Sequence, residues 1–202
     1  MSLMEPSEAD WKRTLYASVV AQFCCMVGFS FGFPFMPFYL HDLGVQYPLE
    51  VRKWAGLVSS AAGFTMAVFA PIWGAVADKY GRKIMVLRSM FGAGAIMALM
   101  ACAQRPEHLL ILRFIQGMLT GTITANVAMV AGITPRERSG YALGLLYGAA
   151  YAGNAIGPAI GGFVAEHFKY RVSFAIGACF LVTAGLLIKF LTRDVRPERT
   201  EG

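Results

Sequence analysis

The chain has 202 residues, of which 56% are apolar and only 15% charged, with a mean hydropathy of +0.54. Soluble domains carry roughly 25% charged residues, so this balance excludes an ordinary water-soluble enzyme or binding module and assigns the chain to the membrane class. The net charge of +6 needs a membrane explanation before any polyanionic partner is invoked.

The first predicted span is Thr14–Leu40, which contains no charged side chain and follows Lys12 and Arg13. It is too long for the ~7–15-residue apolar core of a signal peptide, so it is expected to be retained. Ser18, Gln22 and Ser30 lie among phenylalanines, Phe29 and Phe33 included. An aromatic, uncharged wall suits lipophilic molecules, and Gln22, Phe29 and Phe33 are therefore candidate cavity residues.

Trp54–Ala77 is the second uncharged span, and Ile84–Gln104 the third, interrupted by Arg88 near its start. Between them "GAVADKYGRK" (74–83) packs Asp78, Lys79, Arg82 and Lys83 into one short turn. Bases at a span end anchor topology, and Asp78 and Gly81 suit a tight turn.

Leu109–Thr134 forms the fourth span. It holds Arg113, Gln116, Thr120, Thr122, Thr124 and Asn126. A cation at membrane depth costs at least ~2.5–3.5 kcal/mol, so Arg113 is expected to face a cavity or a partner rather than lipid.

The fifth span, Ser139–Ala165, is uncharged, and Gly140, Gly144 and Gly148, then Gly153, Gly157 and Gly161, recur every four residues. Small residues at that spacing let helices approach closely, and Pro158 is expected to bend the span. Tyr147 and Tyr151 join the candidate cavity residues. Val172–Leu191, carrying only Lys189, is the sixth span. Each span meets the ~20 residues needed to cross a bilayer, and no alternating strand pattern appears. The expected fold is all-helical.

Distribution of bases sets the orientation. With the N-terminus inside, Lys12, Arg13, Lys79, Arg82, Lys83, Arg88, Arg136, Arg138, Lys189, Arg193, Arg196 and Arg199 fall inside. Only Arg52, Lys53, Arg105, Lys169 and Arg171 fall outside. Both termini are thus expected in the cytoplasm, with a tail over 1–13, a bundle over 14–192, and a second tail or linker from 193 to 202. Topology accounts for the positive charge, and no nucleic-acid partner is expected.

Polarity sorts the spans: the first, second, fourth and fifth are expected to face a polar interior or a partner, the third and sixth to face lipid. The four cysteines lie in spans and read as packing residues, so neither disulfide nor metal site is expected. His41, His108 and His167 each neighbour an acid at the outer side, and sequence neighbours on a helix do not share a face. No nucleophile–base spacing or cofactor motif points to an enzyme.

An internal repeat is visible. Gly74, Val76, Ala77, Asp78, Tyr80 and Lys83 match Gly162, Val164, Ala165, Glu166, Phe168 and Arg171 at an offset of 88. The copies lie three spans apart and face opposite sides, the pattern of a 3+3 inverted repeat on which transporters are built.

In this order and on these spans, "GAVADKYGRK" resembles the loop signature of the major facilitator superfamily. "LLILRFIQG" (109–117) resembles the fourth-helix motif of its drug/proton antiporters, and "GNAIGPAIGG" (153–162) their fifth-helix antiporter motif. The resemblance covers nearly the whole chain and implies half of a twelve-helix multidrug efflux transporter of the inner membrane. It implies a conformational switch loop at Gly74, Asp78, Gly81, Arg82 and Lys83, and proton coupling or a cavity role for Arg113, with Gln116, Gly117 and Asn126 beside it. Gly153, Asn154, Gly157, Pro158, Gly161 and Gly162 are implied to form the leak-proof contact that favours antiport.

Two departures qualify this. Six spans need a second six-helix half, from another chain, a missing C-terminal half or a homodimer. Asp42, Asp78, Glu107, Glu137 and Glu166 all flank the spans, so the principal proton carrier is expected in that absent half. A nutrient or metabolite carrier, and a non-transporting subunit that needs a partner, stay open as alternatives to lipophilic-drug export.

Overall fold

The structure, a computed structural model, describes residues 8–192. The tail expected over 193–202, with Arg193, Arg196 and Arg199, lies outside the described residues, as does most of the tail over 1–13. Helix α1 (Glu8–Gly32) begins inside the latter.

The first span is not one helix. A 3-10 turn at Phe33–Phe35 separates α1 from α2 (Met36–Asp42), because Pro34 and Pro37 each remove a backbone donor. Helix α3 (Pro48–Tyr80) opens on a proline, whose missing N–H costs nothing at that position. Gly81, at φ +100°, turns the chain into α4 (Arg82–Ala101). A residue with a side chain resists that conformation, which explains the glycine inside the charged loop.

The fourth span also breaks. Helix α5 (Pro106–Leu119) ends before Thr120 and Gly121, and α6 (Thr122–Ile133) starts afresh. Gly121 sits at φ +130°, so the span expected over 109–134 is built from two helices joined at a glycine, which together are long enough to cross a membrane. Helix α7 (Ser139–His167) runs through Pro158, and α8 (Tyr170–Leu191) closes the described chain. Among the described residues there is no strand.

Among the described residues, five helical stretches, Trp11–Asp42, Pro48–Tyr80, Arg82–Ala101, Pro106–Ile133 and Tyr170–Leu191, are long and apolar enough to cross a membrane. At 29 residues, α7 has the length, but its glycines and tyrosines dilute its apolar character.

Packing is mirrored. Helix α1 packs on α7 and α8, α5 packs on α3 and α4, α6 packs on α4, and α4 packs on α8. The core is built from Met90, Ala93 and Met97 of α4 against Phe174, Leu181 and Ile188 of α8, with Leu40 and Leu109. Thus α4 and α8, expected to face lipid, supply most of the core because they pack on each other; a strip such as Leu99 and Phe190 stays exposed. By contrast only 11% of the most apolar stretch of α3 is buried, against 50% for α4. Lys83 at the start of α4 meets Thr192 after α8, and Trp11 packs with Val130 and Leu146. Both ends of the described chain therefore lie at one end of the bundle.

Candidate functional site

The face that α3 and α7 leave open carries a connected series of crevices. Arg113 stands near its middle. Its Nε donates to the Val58 carbonyl at 3.3 Å, and its Nη1 to Gln116 Oε1 at 2.8 Å. Its guanidinium carbon lies 4.1 Å from the Phe33 ring, within cation–π reach. The fork is thus fixed by three helical segments, as its planar donors allow. Gln116 is buried, and its Nε2 has no hydrogen-bond partner among the described residues.

Around this group Phe29, Ser59, Gly63, Arg113, Gln116 and Thr120 line a crevice of about 210 Å³. Phe29 is shared with a neighbouring groove whose walls are Ser30, Phe33, Pro34, Asn154 and Pro158. Phe29 and Phe33 stack with centroids 6.3 Å apart. On the other side Met66 and Thr120 lead into a crevice of about 300 Å³ that reaches Trp73, Asp78, Arg82 and Arg88. Its walls are mostly apolar, and the polar groups sit at a few places, which is the ordinary make-up of a small-molecule site.

The charged side chains of the loop part in different directions, and two of them make contacts. Arg82 Nη1 donates to the Ala128 carbonyl at 2.5 Å, across α6, where a Cβ at Gly132 would stand 2.6 Å from that nitrogen. Lys83 Nζ donates to the carbonyls of Lys189, at 3.1 Å, and Thr192. Asp78 is exposed and makes no hydrogen bond or ion pair among the described residues. Gly74 lies on the open face, with nothing near the position of a Cβ.

Glycines on α7 fall into two sets. A Cβ on Gly153 would lie 2.7 Å from the Phe23 carbonyl. One on Gly157 would strike the Ser30 hydroxyl and one on Gly161 the Phe31 carbonyl, so this set seats α1. Ser30 Oγ donates to the Gly153 carbonyl at 3.2 Å across the same contact. Gly162 meets the Phe35 ring. Gly140, Gly144 and Gly148 have open space instead. Gly117 is a third kind: a Cβ there would collide with Thr65 and Ala62 of α3, and Thr65 Oγ1 donates to the Phe114 carbonyl at 3.0 Å.

Among the expected cavity residues, Phe29 and Phe33 line the crevices. Gln22 is fully buried and accepts, at 2.9 Å, from Asn126 Nδ2. Both therefore face the α1–α6 contact rather than the open face. Tyr147 and Tyr151 are 41% and 71% exposed on α7 and line none of the crevices above. Cys102 and Cys179 are exposed rather than packed inside, while Cys25 is buried. No group of three or more metal-ligating side chains converges among the described residues.

Sequence reasoning passed over Trp73 and Arg88. Arg88 was read as an interruption of the third span and as an inside base, yet a base inside a span is the same signal that singles out Arg113. Its guanidinium carbon lies 3.4 Å from the Trp73 ring.

Comparison with known proteins follows this geometry. Over 189 residues the chain is 39% identical to multidrug resistance protein MdtG of Yersinia enterocolitica, covering 94% of this chain and 46% of that protein. With MdtG of Escherichia fergusonii the identity is 40%, over 89% of this chain and 46% of that protein. The chain therefore spans about half the length of the curated relatives it matches. The human organic anion transporter MFSD10 (TETRAN) superposes with a TM-score of 0.79 at 18% identity, covering 91% of this chain and 48% of that one; at that identity the likeness concerns the fold. Residues 18–202 match the model of the Major Facilitator Superfamily. With that match over most of its length and 39–40% identity to relatives, the chain belongs to the major facilitator superfamily.

Proposed function

We propose that this chain is the N-terminal six-helix half of a proton-coupled exporter of lipophilic small molecules, working by alternating access against a second six-helix half. The observation that carries this reading is the convergence of Arg113, Phe29, Phe33 and Asn154 on adjoining crevices of the face that α3 and α7 leave open. Half-length matches to multidrug resistance proteins and the open glycines at 140, 144 and 148 support a partner half seated there.

The 3+3 inverted repeat is supported by the mirrored helix pairings. The excess of bases at the Asp78 end supports placing that end, and both termini, in the cytoplasm of an inner-membrane protein. In this reading Asp78 is a latch. Without a partner among the described residues, it is available to a helix terminus or base of the other half, where opposite charge is stabilising. Arg113 holds the charge that a carboxylate of the second half answers when the proton leaves.

The test is gradient-driven movement of a lipophilic dye in proteoliposomes carrying this chain with a second six-helix half, beside Asp78→Asn. Flux that follows the proton gradient and is lost in Asp78→Asn is the expected result. Folded, paired protein that moves no dye under a gradient overturns the reading.

A further inference from the structure

Arg88 is treated unlike the other bases at its end of the bundle. It lies less than two turns into α4, stacked on Trp73 with 3.4 Å from guanidinium carbon to ring centroid. Its Nε and Nη1 are buried and have no hydrogen-bond partner among the described residues. A snorkelling arginine would wet those donors at the membrane surface; these are instead covered, and a buried unmade donor on a charged group is costly.

The side chain lines the crevice of about 300 Å³ that it shares with Arg82 and Asp78. Arg82 is engaged by the Ala128 carbonyl, which is neutral. Two cations thus face one carboxylate, and the lining keeps one positive charge unanswered. The remaining walls are mostly apolar, with Met66, Ala70 and Met85 among them, and add only the hydroxyls of Thr120 and Thr124. Ligand pockets run upward from about 300 Å³, so the space suits a head group and a short tail rather than a large polycyclic dye.

We infer that this crevice is a binding subsite for the oxyanion head, carboxylate or phosphate, of a small amphiphile. Arg88 ligates the head, Trp73 fixes the plane of the guanidinium, and the apolar walls take the tail. Arginine's fork matches both oxyanions. Asp78, on the same crevice, opposes the anion by like charge.

The experiment uses the full 202-residue chain with Trp11→Phe and Trp54→Phe, so that Trp73 alone reports by fluorescence. Octanoate and octyl phosphate are titrated against the neutral isostere octanamide in phosphatidylcholine nanodiscs. A parallel set uses phosphatidylglycerol nanodiscs.

Saturable quenching by the anions, at least tenfold tighter than by octanamide, is expected. Arg88→Gln abolishes that preference, Arg88→Lys keeps part of it, and Asp78→Asn strengthens binding. If phosphatidylglycerol alone shifts Trp73 emission in an Arg88-dependent way, the oxyanion belongs to a lipid head; if free octanoate does so in phosphatidylcholine, it belongs to a soluble amphiphile. Equal binding of octanoate and octanamide with no effect of phosphatidylglycerol overturns the inference. So does an anion preference that survives in Arg88→Gln. Should Arg88→Gln lose helicity, the comparison of octanoate, octanamide and the two lipids on the unaltered arginine decides alone. Binding is read without flux, so the outcome is independent of the exporter reading.

Discussion

Lys83 and Arg171, 88 residues apart, each reach across to the C-terminal carbonyls of the other's helix. Lys83, on α4, donates to the Lys189 and Thr192 carbonyls at the end of α8. Arg171, on α8, donates at 2.9 Å to the Ala103 carbonyl just past α4. The two occupy matching positions in the repeat proposed from the sequence. Helix C-termini leave carbonyls unpaired, and a base there is favourable by about 0.3–1 kcal/mol.

Lys83→Met and Arg171→Met are therefore expected to destabilise the chain by similar amounts, about 1 kcal/mol each. Lying at opposite ends of the bundle, they should add in the double variant. Unfolding in mixed detergent micelles measures this. A loss confined to one variant would show that the two caps are not equivalent.

Gly153 and Gly144 occupy the same helix with opposite consequences. A side chain at Gly153 meets the Phe23 carbonyl at 2.7 Å and the Met26 Cβ at 2.8 Å, atoms that are backbone or at the root of a side chain and cannot swing away. Gly153→Val is expected to cost about 1–3 kcal/mol of stability in the isolated chain, the scale of an overpacked core. A Cβ on Gly144 would meet nothing within 4 Å, which leaves room for Gly144→Val. It should leave that stability unchanged and instead weaken dye flux once the second half is present. Paired melting and flux measurements separate the two outcomes.

Much of this was legible in the sequence because membrane helices announce themselves by uncharged length. Both breaks were not: Phe33–Phe35 and Thr120–Gly121 lie inside apolar runs where glycine and proline are ordinary. Only neighbouring helices decide whether such a residue bends, breaks or passes. The two roles of the α7 glycines were equally hidden, since one spacing of four serves Gly153, packed on α1, and Gly144, facing open space. Gln22 looked like a cavity residue because polarity in a span signals an interior, and composition cannot say whether that interior is a cavity or an interhelical hydrogen bond. Arg113, by contrast, stood out in the sequence by its charge alone, and its guanidinium meets Val58, Gln116 and Phe33.

Asn126 and Gln22 form a buried amide pair between α6 and α1, with a second bond from Asn126 Nδ2 to the Ser18 carbonyl at 3.3 Å. Gln22 Nε2 and Asn126 Oδ1 are left without protein partners among the described residues, so the pair is only half satisfied. Interhelical hydrogen bonds in membranes couple by about 0.6 kcal/mol on average and up to ~1.7. A double-mutant cycle of Gln22→Leu and Asn126→Leu should fall at the lower figure. A coupling near zero would mean that the amides are held by packing alone.

Arg113 separates geometry from charge. Its two donors reach different helices while its plane lies over Phe33, an arrangement that needs a fork and not merely a positive charge. Lysine carries the charge as a point on a flexible stem and cannot reproduce both bonds and the stacking. With the second half present, Arg113→Lys is therefore expected to bind dye within about threefold of the unaltered protein. Gradient-driven flux should fall about tenfold or more, equivalent to ~1.4 kcal/mol in the coupled step. Gln116→Leu removes only the acceptor at 2.8 Å. It should produce a smaller loss in the same direction, because the Val58 carbonyl and Phe33 still hold the guanidinium. Fluorescence polarisation of bound dye and pH-jump flux on the same proteoliposomes read the two quantities separately. Equal flux in Arg113→Lys and the unaltered chain would reduce the residue's role to charge alone. A parallel collapse of binding would instead make it part of the binding surface rather than of the coupling to protons.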